Sequence, residues 1–173
     1  LITRTDSVEI FQTVEWPMLF FFIGLFVTIA GLEASGAIDK AARMAINLTG
    51  NSLITTSMIV LWFSAIASAF VGAIPVVAAL IPIMKSIIPE IQTNHASVNP
   101  ETISCAIWWA LSLGACLGGN GTILGAACNI VAVEIARNNR KTITPLEFMR
   151  VGLPVAFVSL VISTVYILIR YVF

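Results

Sequence analysis

The sequence predicts an all-α membrane protein built from spanning helices, a re-entrant helical hairpin and a broken helix. Three observations carry that prediction. First, 58% of the 173 residues are hydrophobic and 10% are charged, with a mean hydropathy of +0.98; soluble domains run about 45–50% apolar and about 25% charged. Second, apolar stretches recur at about the 20 residues needed to cross a bilayer core. Third, two long apolar stretches are interrupted, at Val71-Gly72-Ala73-Ile74 and at Gly118-Gly119-Asn120-Gly121-Thr122.

Taken in order, residues 1–15 read as a cytoplasmic lead-in. The chain opens Leu-Ile-Thr-Arg without an initiating Met, and the lead-in is too mixed in polarity for a signal peptide. The sequence is therefore read as a fragment whose amino-terminal part is missing. Residues 16–34 form the first transmembrane helix, entered at Trp16-Pro17, because an indole ring favours the headgroup level. In residues 37–49 the side chains Ile38, Ala41, Ala42, Ala45 and Ile46 recur at helical spacing, while Asp39, Lys40, Arg43 and Asn47 lie on other faces. That pattern predicts an amphipathic helix lying along the membrane surface.

Residues 53–88 predict the re-entrant hairpin, with its tip inside the membrane, Pro75 starting the second arm and Pro82 within it. The second arm is read as too short to span. Residues 89–102, with Gln92, Asn94, His95, Asn99 and Pro100, read as an outer loop with a solvated histidine. Residues 103–136 are too long for one span and predict two half-helices around the glycine break. Arg137, Arg140, Lys141 and Arg150 cluster around residues 137–145, which the positive-inside rule places in the cytoplasm. Residues 146–173 form the last transmembrane helix.

Helix breaks inside a membrane expose backbone carbonyls and helix amino termini, which suits a site for a small ion. The candidate binding residues are accordingly Ser68, Gly72 and Ala73 at the hairpin tip, and Gly119, Asn120, Gly121, Thr122 and Asn129 at the second break. The glycines also fit a plainer reading, since Gly114-xxx-Gly118 and Gly121-xxx-Gly125 match the small-residue spacing of close helix packing. Glu134 is a candidate proton relay, although a local ion pair with Arg137 one turn away is the plainer reading; Glu33 and Glu147 read as hydrated carboxylates at helix ends.

Other classes find no support. A net charge of zero offers nothing to nucleic acid. Cys105, Cys116 and Cys128 have no metal-site spacing and read as small buried hydrophobes. With His95 the single histidine, no catalytic residues, metal or cofactor are assigned, and the chain is not read as an enzyme.

With both breaks in view, the chain resembles the ArsB/NhaD-type permeases of the ion transporter superfamily, a group that includes arsenite pumps, sodium/proton antiporters and the P protein. The stretches that carry the resemblance are Trp16-Pro17-Met18-Leu19-Phe20-Phe21-Phe22-Ile23-Gly24, Ser68-Ala69-Phe70, Ile74-Pro75, Ile81-Pro82 and Gly152-Leu153-Pro154. The most specific is Gly118-Gly119-Asn120-Gly121-Thr122-Ile123-Leu124-Gly125-Ala126 with Asn129 after it. The resemblance implies secondary active transport of a small inorganic or organic ion by alternating access, coupled to sodium or protons. It also implies two inverted repeats, of which this chain is the carboxy-terminal one, in a homodimer of a multi-pass cell (inner) membrane protein, or an organelle membrane protein in a eukaryote. The lipid bilayer, the ion and the amino-terminal repeat are then its partners. Family members commonly carry Asp-Asn at the hairpin tip where this chain has Gly72-Ala73, which shifts the expectation towards a neutral or anionic substrate. The alternative is a non-transporting or truncated membrane subunit of an assembly.

Overall fold

The computed structural model describes residues 16–95 and 98–171. Among them the regular structure is helical throughout: α1 (Trp16–Ala34), α2 (Ala37–Thr49), α3 (Leu53–Val71), α4 (Ala73–Asn94), α5 (Pro100–Gly118), a 3-10 turn (Gly119–Gly121), α6 (Ala127–Asn138) and α7 (Pro145–Tyr171). The expected lead-in at 1–15 lies outside the described residues. The helices α3, α4, α5 with its 3-10 turn, and α7 are each long and apolar enough to cross a membrane; α1 and α2 form a pair bent by 74° that adds a fifth span if the two count as one. The chain is an all-α membrane protein.

The bend between α1 and α2 is made by Gly36, whose φ of 71° lies in the left-handed region that a side chain disfavours. Beyond it α2 turns Ile38, Ala42, Ile46 and Thr49 inward, and these pack on α4. Its polar residues Asp39, Lys40, Arg43 and Asn47 face outward. Most of α1 is exposed, including Phe20, Phe21, Phe26 and Val27.

The centre of the fold is the seam between α3 and α5. Ser52 caps α3, its hydroxyl accepting from the Thr55 amide, and Asn99 caps α5, its side chain accepting from the Glu101 amide at 2.9 Å ahead of a first-turn Pro100. Each helix then presents one stripe of small and branched residues: Thr56, Ser57, Val60, Leu61, Ser64, Ala65 and Ser68 from α3, against Ile103, Ile107, Ala110, Leu111, Gly114 and Gly118 from α5. The two run parallel, because Ser64 meets Leu111 and Ser68 meets Ala115 at the same separation of 47 residues. A Cβ on Gly114 or Gly118 would overlap the carbonyls of Leu61 and Ala65 respectively. Apolar side chains gain little by leaving lipid for protein, so this closeness, with its dispersion contacts and short hydroxyl bonds, is what holds the seam.

Helices α3 and α4 form the hairpin, antiparallel, with Gly72 at the tip and the open end tied by His95 Nε2 to the Asn51 carbonyl at 2.9 Å. Three expectations are corrected here. The second arm is 22 residues long and able to span, not too short. The expected loop at 89–102 is helical as far as Asn94 and again from Pro100. A proline costs the helix one hydrogen bond, and the continued stripe Ile87, Ile88 and Ile91, at 1%, 7% and 0% exposure, offsets that by packing. His95 is partly buried and bonded, not a solvated loop residue.

Helix α7 begins with a capping box, in which Glu147 N donates to Thr144 Oγ1 at 3.3 Å and Thr144 N donates to Glu147 Oε2 at 2.8 Å. Its stripe Ala156, Leu160, Ser163 and Ile167 is buried and packs on α5. The three cysteines are exposed rather than buried. On α5, Cys105, Trp109, Ser112 and Cys116 form an exposed stripe, because the opposite stripe is already taken by the seam.

Candidate functional site

The two breaks come together. At the hairpin tip Gly72 takes φ 95° and ψ 157°, which turns the chain from α3 into α4 in one residue while its amide donates to Ser68 O at 2.9 Å. Opposite it, α5 ends at Gly118, the 3-10 turn carries Gly119–Gly121, and the chain passes through extended Thr122 (φ −136°, ψ 162°), a turn at 124–125 and extended Ala126 (φ −147°, ψ 140°) before α6 begins. The unwound segment folds back on itself: a Cβ on Gly119 would sit 2.6 Å from Gly125 O. A Cβ on Gly72 would sit 3.8 Å from that same oxygen, so tip and break are neighbours. Residues 152 and 153 of α7 close the other side, since Gly152 lies against the Asn120 carbonyl and Leu153 against Gly121.

Polar side chains hold the junction in shape. Thr122 Oγ1 donates to Ala69 O on α3 and accepts from Gly125 N at 3.0 Å, which joins hairpin to break through one hydroxyl. Asn129 Nδ2 reaches back to Gly119 O at 3.1 Å and Thr122 O at 2.9 Å, so both of its donors are spent on the unwound backbone. Ser68 Oγ, fully buried, donates to Ala115 O at 2.5 Å. These three residues, singled out in the sequence as ligands, therefore use their donors within the protein.

Asn120 differs. Its carboxamide makes no hydrogen bond among the described residues, and it lines an open cleft of ≈ 590 Å³ together with the flank of Asn129, Glu147, Phe148 and Val151. Of the tip and break residues, Gly119 and Gly121 are buried, while Gly72, Ala73 and Thr122 are partly exposed. Glu134 is exposed on α6, does not line this cleft, and forms no ion pair with Arg137.

The electrostatics come from the backbone. Helices α4 and α6 both begin at the junction, and neither start has a side-chain cap. The leading N–H groups of a helix have no intrahelical carbonyl and carry about half a positive charge between them. No Asp, Glu, Lys or Arg lies in 68–73 or 118–129; the carbonyl ends of α3 and α5 meet the same junction with the opposite partial charge, and the nearest full charge is Glu147, across the cleft that Asn120 lines. Sequence reasoning missed the bracing roles of Thr122 and Asn129, because a side chain's hydrogen-bonding capacity is legible in sequence and its partner is not.

Comparison with known proteins places these features in a family. The sequence profile described as CitMHS, citrate transporter, matches residues 1–113. An uncharacterized transporter of Mycobacterium tuberculosis is 38% identical over 170 residues, covering 98% of this chain and 37% of its own length. An uncharacterized transporter of Synechocystis is 31% identical, covering 95% of this chain and 38% of its own length. The human P protein is 34% identical over 174 residues, covering 96% of this chain and 20% of its own length. The chain thus spans less than two fifths of the length of each of these relatives. No solved structure matches it.

Proposed function

Because the chain belongs to the citrate transporter family CitMHS, we propose that it forms part of a secondary transporter that carries a small anion across the membrane by alternating access, with the anion held where hairpin tip and broken helix meet. The observation that carries this reading is the meeting of hairpin tip and unwound segment, where α4 and α6 both start without a side-chain cap; on the α7 side of the same break the Asn120 carboxamide, which makes no hydrogen bond among the described residues, lines an open cleft. Helix amino termini bind phosphate, sulfate and carboxylate groups by the same means. Gly72-Ala73 in place of an Asp-Asn pair removes a fixed negative charge from that position, and a carboxylate or oxyanion substrate benefits. A second half of the site comes from a matching amino-terminal repeat. Helix α6, which buries none of its own side chains against the described residues, offers an open surface to that repeat. Homodimerisation and coupling to sodium or protons belong to the same reading.

The test is flux into proteoliposomes containing the protein as the cell makes it, with citrate, phosphate and arsenite offered in turn under imposed sodium and proton gradients. Accumulation of a carboxylate or oxyanion supports the reading. Sodium-driven proton movement without any anion requirement replaces it with cation antiport, using the carbonyls that end α3 and α5. No flux in any arm points to a non-transporting membrane subunit.

A further inference from the structure

On the outward flank of α2 lies a second polar cleft of ≈ 360 Å³, remote from the junction. Its walls are Asp39 and Arg43 from α2 and Lys85, Ser86 and Glu90 from α4, over an apolar floor that includes Ile46. Two cations and two carboxylates thus share one small space, yet none forms an ion pair among the described residues; the one polar tie across it is Ser86 Oγ to Asp39 Oδ1 at 3.5 Å. Opposite charges left apart in a shared cleft are matched to a ligand that carries both signs.

The surroundings select the kind of ligand. The other flank of the same helix is wholly different: Ala41, Met44 and Leu48 line an apolar groove of ≈ 330 Å³ with Phe63, Leu80 and Ile83. A helix with charges on one flank and an apolar groove on the other sits at the boundary between headgroups and acyl chains. At about 30 Å³ per water, the cleft holds roughly a dozen waters or one hydrated headgroup.

We propose that this cleft binds a phospholipid headgroup bearing a phosphate and a primary ammonium, with Arg43 and Lys85 on the phosphate and Asp39 and Glu90 on the ammonium. The guanidinium presents a donor fork to phosphate oxygens, and an ammonium has three N–H donors to share between two carboxylates. A quaternary choline group has none. Phosphatidylglycerol lacks the cation. The lipid would fasten α2, the bent element after α1, to the open half of the hairpin arm α4. This inference rests on the membrane fold and is independent of the transport reading.

The experiment is native mass spectrometry of the full-length protein in detergent, delipidated and titrated with dioleoyl phosphatidylethanolamine, phosphatidylcholine or phosphatidylglycerol, and separately with water-soluble phosphoethanolamine. We expect one phosphatidylethanolamine retained about tenfold better than phosphatidylcholine, weak or no retention of free phosphoethanolamine, and loss of binding in Arg43→Gln/Lys85→Gln. Asp39→Asn/Glu90→Gln should erase the preference over phosphatidylglycerol, while Arg43→Lys/Lys85→Arg should keep binding and show that the fold survives changes here. Equal retention of all three lipids, or binding unchanged in the charge-removing pairs, would overturn the assignment. Tight binding of free phosphoethanolamine would overturn the lipid as its source.

Discussion

The seam between α3 and α5 and the unwound segment that continues from it are consecutive in the chain and opposite in construction. In the seam, Leu61, Ile103, Ile107 and Leu111 are at most 2% exposed, and glycines bring one helix onto the other's carbonyls. Past Gly121 that mutual burial gives out: Thr122 and Asn129 do the holding, through four side-chain to backbone hydrogen bonds, and α6 fully buries none of its residues against the described residues. Shape complementarity admits one arrangement, because sliding two interlocked helices opens voids and clashes together. Hydrogen bonds to backbone can be exchanged for bonds to a ligand or to another chain. The contrast separates a rigid, interlocked part from an adaptable part where the proposed site lies.

Substitutions sharpen that contrast, beginning with the seam. Gly118→Val places a Cβ and two methyls on the Ala65 carbonyl, and we expect no folded protein, with a cost above about 4 kcal/mol, read as loss of a monodisperse peak after solubilisation. Leu61→Ala, fully buried in the same seam, should cost about 2 kcal/mol in a reversible SDS unfolding assay, from the cavity and the lost packing contacts without the transfer from water. At the break the effects on stability should be smaller and those on function larger. Thr122→Val removes the hydroxyl that joins Ala69 to Gly125; we expect about 1–2 kcal/mol in unfolding, with transport lost, and recovery of transport in Thr122→Ser. If Thr122→Val transports normally, hairpin and break need not be joined, and the contrast fails. The smallest effect should come from Ser57→Ala, because Ser57 Oγ is buried in the seam without a hydrogen-bond partner among the described residues: a change within about 0.5 kcal/mol, or a slight gain.

Much of this layout was legible in the sequence, and particular residues show why the rest was not. Gly119-Asn120-Gly121-Thr122 announces a helix break because glycines that close together remove both helix propensity and steric bar, and the structure unwinds there. Gly72 before Ile74-Pro75 likewise announces a turn followed by a helix start. The polar run Gln92, Asn94 and His95 misled in the opposite direction: it reads as a loop, yet Ile87, Ile88 and Ile91 carry a buried stripe through Pro89 as far as the end of α4, and tertiary packing outweighs a local preference. The cysteines misled because apolar surroundings in sequence suggest burial, whereas in a membrane helix the outward stripe is apolar too. Roles at the junction were the least legible. Ser68, Thr122 and Asn129 were recognisable as polar groups at a break, but whether such a group faces a ligand or braces the backbone depends on contacts made by Ala69, Ala115 and Gly119, far away in sequence or across a turn.

Asn120 decides whether the junction binds. Its carboxamide has no partner to lose among the described residues, so Asn120→Ala should leave the unfolding midpoint unchanged. The measurement is the concentration dependence of anion uptake by wild type, Asn120→Ala and Asn120→Asp in proteoliposomes. We expect Asn120→Ala to raise the half-saturating concentration about tenfold, the equivalent of one lost hydrogen bond to a charged group, and Asn120→Asp, which sets a negative charge against the anion, to abolish uptake. Uptake with unaltered half-saturation in both variants would contradict a binding site at the meeting of hairpin and broken helix.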